Sequence, residues 1–113
     1  MTNRTSKQKA AELTLPAAPS IRNIDQIHGM LAGALAEGAD VLLSIDADAD
    51  PDLSVIQLIE VARLHAESKG LSFRLADPAN PNIRKTLTRA GLPAGAGAGA
   101  AFHQFWYHGE NIQ

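Results

Sequence analysis

The stretch Val41–Gly70, VLLSIDADADPDLSVIQLIEVARLHAESKG, runs through three kinds of sequence in succession. Val41 to Ile45 is a short, nearly continuous apolar run, the pattern of a strand covered on both faces. Asp46, Asp48, Asp50 and Asp52 then place a carboxylate at every second position. From Leu53 to Lys69 there is neither Gly nor Pro, and Leu, Ile, Ala, Glu and Arg are frequent, so this part is a predicted helix that Gly70 stops. The three parts make one strand–turn–helix unit with Asp52 at the N-cap position.

The same pattern extends in both directions. Upstream, Asn23 and Gln26 resemble a capping box, and Ile24, Ile27, Leu31, Ala34 and Leu35 recur on one helical face until Gly38, which predicts a helix from Ile24 to Glu37. Before it, Ala11 to Leu15 alternates apolar and polar residues as a half-buried strand does, and Pro16 and Pro19 end it. Downstream, Leu71, Phe73 and Leu75 alternate in a strand from Leu71 to Ala76. Asn80 then serves as a cap, Pro81 fits the first helical position, and Ile83, Leu87 and Ala90 form a short helix closed by Gly91. Strand and helix alternate three times, which implies an α/β layer structure with parallel strands joined by right-handed crossovers.

A length of 113 residues suits one domain. A net charge of -2 provides no basic field, so a nucleic-acid partner is not expected. With no cysteine there is no disulfide, thiolate nucleophile or cysteine-ligated metal. The polar start, MTNRTSKQKAAE, lacks the apolar centre of a signal peptide, and no run is long enough to span a bilayer. The expected location is the cytoplasm, without membrane insertion.

Residues 1–9, polar and basic, are read as a flexible arm. PAGAGAGAA, Pro93 to Ala101, is read as a flexible linker; it is no phosphate loop, because no Lys-Ser or Lys-Thr pair follows its glycines. Four of the chain's five aromatic residues, Phe102, Phe105, Trp106 and Tyr107, fall in the tail from 102 to 113. They are expected to fold back over an exposed part of the sheet, the alternative being an anchor for a partner.

The aspartates invite a calcium loop, and Asp46, Asp48 and Asp50 occupy its first, third and fifth positions. Pro51 stands where that loop needs glycine, however, and Gln57 where it needs a bidentate glutamate. His28, His65, His103 and His108 show no zinc-enzyme spacing, so no metal or other cofactor is expected. A hydrolase reading lacks a nucleophile with a base at supporting spacing. Ser54, two residues into the helix, lies near free amides and the positive end of the helix dipole, a place where a phosphate is stabilised while Asp50 and Asp52 oppose it.

The order VLLSI, DLSVIQLI, LSFRLADP, IRKTLTRAGL resembles the STAS domain of anti-sigma factor antagonists over Leu13 to Leu92, placing the domain at residues 10–92. The resemblance implies a central mixed sheet of about four strands with helices mainly on one side, and a non-enzymatic bacterial regulator. It aligns Asp52 with the family's aspartate, Ser54 with the residue phosphorylated in switching members, and Gln57 with the continuation of the helix. The implied partner surface comprises Asp46, Asp48, Asp50, Asp52, Leu53, Ser54, Val55 and Gln57. Its implied partner is a GHKL-type anti-sigma kinase or, for forms with a Phe-Trp tail, a chemotaxis kinase. Leu53 and Val55 replace the family's usual small residues. They suit instead a constitutive subunit similar to the small STAS component of a phospholipid ABC transporter, which supports an ATPase.

Overall fold

The computed structural model describes residues 10–92 and 99–108. The arm at 1–9, most of the linker (93–98) and the end of the tail (109–113) lie outside them. Three strands, β1 (Ala10–Thr14), β2 (Asp40–Ser44) and β3 (Phe73–Leu75), form one sheet in the order β1-β2-β3, parallel throughout. Among the described residues there is no fourth strand and no antiparallel pair, so of the expected mixed sheet of about four strands they hold three, all parallel. Each connection within the sheet contains a helix, α1 (Ile24–Ala36) or α2 (Leu53–Ser68), and a crossover of that kind joins parallel neighbours.

Two crossovers of the same hand, stepping the same way across the sheet, put α1 and α2 on one face, where they touch each other. The register sorts the side chains accordingly. Ala11, Val41 and Phe73 lie side by side in one row and Leu13, Leu43 and Leu75 in the next, all facing the helices. Val41, Leu43, Phe73 and Leu75 are buried there with Ile27, Leu31 and Leu35 of α1 and Val55, Ile56, Ile59, Ala62 and Ala66 of α2. The opposite row, Glu12, Leu42 and Arg74, leaves both charged members exposed. Burial at alternate positions follows from the two-residue period of a strand.

Local signals explain most of the boundaries. Gly38 and Gly70, at φ of +74° and +73°, end α1 and α2 in the left-handed conformation that side chains other than glycine's resist. The cap ahead of α1 differs from the expected one. Asn23 makes no side-chain cap to α1; its Oδ1 reaches back to accept the Ser20 N–H at 2.8 Å. Ser20 Oγ in turn accepts from Arg22 N–H at 3.1 Å. The box therefore closes one turn earlier, over a 3-10 turn at Ile21–Asn23, because Asn23 is already inside that turn.

After β3, α3 (Pro81–Arg89) buries Ile83 and Leu87, and a fourth helix, α4 (Gly99–Tyr107), follows. Gly99, Ala100 and Ala101 are thus helical rather than linker. The tail does fold back: Phe102, Phe105, Trp106 and Tyr107 are buried in the common core. Phe105 meets Phe73 edge to face at 5.5 Å, and His108 Nε2 lies 3.0 Å from the Leu75 carbonyl, so α4 lies against the outer edge of β3. Trp106 Nε1 donates to Glu60 Oε2 at 2.7 Å, joining α4 to α2. Among the described residues no helix is long and apolar enough to cross a membrane.

Candidate functional site

The acidic segment between β2 and α2 is a folded turn. Asp46 Oδ1 accepts the Asp48 N–H at 2.8 Å, and the Asp46 carbonyl accepts the Ala49 N–H at 3.0 Å. Such a side-chain bond two residues on is what makes aspartate favourable in turns. Ala49 and Pro51 point inward and are buried, while Asp46, Asp48, Asp50 and Asp52 are exposed.

The turn is gripped from α3. Asn80 Oδ1 caps α3 by accepting the Ile83 N–H at 2.8 Å. The same side chain's Nδ2 donates to the carbonyls of Ala49 at 2.9 Å and Asp46 at 3.2 Å. Asn82 Nδ2 stands within 3.5 Å of the Asp48 carbonyl and 3.4 Å of that of Ala49. Asparagine can do this because its amide offers an acceptor and two donors together. The sequence announced Asn80 only as a helix cap. Its second role, and all of Asn82's, depend on contacts across more than thirty residues, although a small apolar Ala49 between aspartates is a sign of an inward-facing point.

At the start of α2, Asp52 holds the N-cap position with extended backbone, but its carboxylate does not cap the helix. Oδ2 accepts the Ile21 N–H at 2.9 Å and so ties this end of α2 to the entrance of α1. Leu53 and Gln57 are exposed next to it. Beside the turn a shallow cleft of about 390 Å³ separates the Asp50–Leu53 segment from Thr86, Arg89 and Ala90 of α3. Among the described residues Arg89 is the one cationic side chain lining that cleft.

Two members of the expected surface lie elsewhere. Val55 is wholly buried in the core, one residue on from Ser54, and is not available to a partner. Ser54 Oγ is also cut off from solvent and, among the described residues, has no hydrogen-bond partner. That is unfavourable for a buried hydroxyl. No base contacts it, so it is not an activated nucleophile, and a kinase reaches it only if the first turn of α2 opens. Asp46, Asp48, Asp50, Asp52, Leu53 and Gln57 are each exposed between the end of β2 and the second turn of α2, and Asp50, Asp52 and Leu53 line the same cleft.

Among the described residues no three His, Cys, Asp or Glu side chains form a group that could hold a metal ion. His103 stacks on Tyr107 at 5.3 Å, while His108 faces Leu75, so the two tail histidines do not converge. A charged contact lies away from the turn: Arg63 donates through two nitrogens to Glu60, each at 2.9 Å. That bond, first among its causes, raises the Arg63 pKa further. Glu60 thus serves Arg63 and Trp106 at once, a linkage no sequence spacing reveals. Compared with protein-family models, curated proteins and solved structures, the chain finds no match.

Proposed function

We propose that the chain is a non-enzymatic, STAS-like protein-binding module that docks through the N-terminal end of α2 and the turn before it. The observation that carries this reading is the grip of Asn80 and Asn82 on the turn: three carbonyls are held from α3 while the carboxylates of Asp48 and Asp50 remain exposed. A surface ordered before binding loses less conformational entropy when it docks. Exposed Leu53 and Gln57 extend it with apolar and hydrogen-bonding contacts.

The resemblance to STAS domains supplies the kind of partner, a nucleotide-binding protein of the kinase or transport-ATPase type, in the cytoplasm of a bacterium. Of the two modes, constitutive docking is the better supported. Phosphorylation of Ser54 requires a sealed hydroxyl to be exposed beside core residue Val55, whereas docking on Asp48, Asp50, Leu53 and Gln57 requires no rearrangement. The test is the mass of the intact chain isolated from its own cells, together with the partner affinity of Ser54→Ala and Ser54→Asp. Constitutive docking expects no phosphate and a Ser54→Ala affinity equal to wild type. Phosphate on Ser54, with partner affinity lost in Ser54→Asp but kept in Ser54→Ala, makes the chain a switch instead.

A further inference from the structure

Above the carboxyl ends of β2 and β3, between the acidic turn and the start of α3, lies a cavity of about 150 Å³. Leu43 and Leu75, the last helix-facing members of their strands, form its walls with Ile45 and Ile83. Among the described residues Asp77 is the one charged residue that lines it, and with none of them does its exposed carboxylate form a hydrogen bond or ion pair. Asn80 also lines the cavity, with its amide already engaged: Oδ1 accepts from Ile83, and Nδ2 donates to the carbonyls of Asp46 and Ala49.

The lining carries carboxylate charge, and the chain beside it adds more. Ala47, another lining residue, stands between Asp46 and Asp48, both exposed. The cations of the neighbouring elements are placed elsewhere. Arg84 follows Ile83, but its Nε donates to the Ala79 carbonyl at 2.8 Å and its guanidinium lies 4.9 Å from the centre of the Tyr107 ring, on α4. Lys85 is two residues past Ile83, about 200° around α3. Arg89 lines the separate cleft beside Asp50–Leu53, and Arg74 is in the row of β3 that faces away from the helices.

At this size the cavity is below the roughly 300–1,000 Å³ of small-molecule and cofactor pockets and admits a single side chain. A wholly apolar side chain would match the walls but take the Asp77 carboxylate out of water without pairing it. An acidic one would meet like charge. Lys and Arg lay their methylene stems on apolar surface and keep the charged head at the boundary with water. We infer that this cavity receives a Lys or Arg side chain of the docked partner, its methylenes among Leu43, Ile45, Leu75 and Ile83 and its cation on Asp77. The site rests on the docking reading above and adds to it the partner's anchor, a role that interfaces concentrate in a few side chains seated in pockets.

The experiment is an NMR titration of the full chain with n-butylammonium and n-propylguanidinium, the side-chain analogues of Lys and Arg, against n-butanol and pentanoate. The cations are expected to shift the amides of Ala47, Asp77 and Ile83 and to bind about two- to fivefold more tightly than butanol, with pentanoate weakest. Asp77→Asn should remove the cations' advantage, and Ala47→Leu, which adds bulk to the lining, should weaken cations and butanol alike. Both substitutions are on exposed positions, and circular dichroism checks that each variant is folded. Butanol or pentanoate binding as well as the cations, no shift at these amides, or an advantage that survives Asp77→Asn overturns the inference. Partner capture by Ala47→Leu and Asp48→Lys separates the site from the docking reading. Capture reduced by both is expected. Capture reduced by Asp48→Lys alone leaves the docking surface standing and overturns the anchor. Capture reduced by neither fails the docking reading, and with it the partner as source of the side chain, whatever the titration shows.

Discussion

Helix α4 and the acidic turn are both secured over long sequence distances, yet by opposite means. α4 is attached mainly by aromatic burial, with Trp106 fully enclosed and Phe105 against Phe73, and also by hydrogen bonds from the indole to Glu60 and from the Ala79 N–H to the Trp106 carbonyl. The turn has little to bury beyond Ala49 and Pro51 and is held by side-chain amides on its carbonyls. Burial contributes most to stability and leaves nothing to present outward. Polar attachment contributes less, but it fixes a backbone whose side chains remain in water. The difference makes α4 part of the fold and leaves the turn as the surface proposed above for recognition.

The largest effect expected from that contrast is on α4. Trp106→Ala should lower stability by about 3–5 kcal/mol, through the lost side chain and the cavity it leaves. Chemical denaturation measures it. A change under about 1 kcal/mol would detach α4 from the core and leave the tail aromatics free for a partner. Asn80→Ala removes a cap and the grip on the turn together, and should cost about 1–3 kcal/mol. Hydrogen exchange should then quicken at the amides of Asp48 and Ala49 while those of β2 stay protected. If the Asp48 and Ala49 amides do not respond, the asparagines do not order the turn.

Ser54→Ala is a smaller test and has the opposite sign. Removing a buried hydroxyl with no partner should leave stability unchanged or raise it by up to about 1 kcal/mol. A clear loss would mean that the hydroxyl has a partner after all. The smallest effect concerns pH. Burial raises the Tyr107 pKa, the Arg84 charge opposing it in part. The folded state therefore favours the neutral phenol. That stability is complete below the ordinary tyrosine value of about 10 and is lost as pH rises through the higher folded value. Tyr107→Phe should flatten this alkaline decline in thermal unfolding.

Much of the fold could be read from periodicity and punctuation. The strand-helix order, the Gly38 and Gly70 stops and the Asn80-Pro81 start of α3 are local features, and the elements lie within two residues of their expected limits. The fourth helix was hidden because its first turn, Gly99 to Ala101, continues an alternation of Gly and Ala that favours no structure. The helical spacing of Phe102, Phe105 and Trp106 was the available sign. The number of strands also escaped the sequence, since the resemblance supplied a fourth that the described residues do not contain. At the site, the exposed aspartates, Leu53 and Gln57 were legible as a surface at a helix start. The inward turn of Val55 and the sealing of Ser54 Oγ were not, because which face of α2 meets the core is set by α1 and the sheet. Asp52 illustrates the same limit: it has the right place for a cap, and its carboxylate is taken by Ile21 from another part of the chain.

The central claim is that the ordered turn and the first exposed residues of α2 are where a partner docks. Its most direct measurement compares partner capture by the tagged full chain with capture by Asp48→Lys, Leu53→Glu and Ser54→Ala, using extract from the chain's own cells. One protein held by wild type and Ser54→Ala, and released by both Asp48→Lys and Leu53→Glu while each variant stays folded, is the expected result. Undiminished capture by Asp48→Lys and Leu53→Glu would contradict the claim.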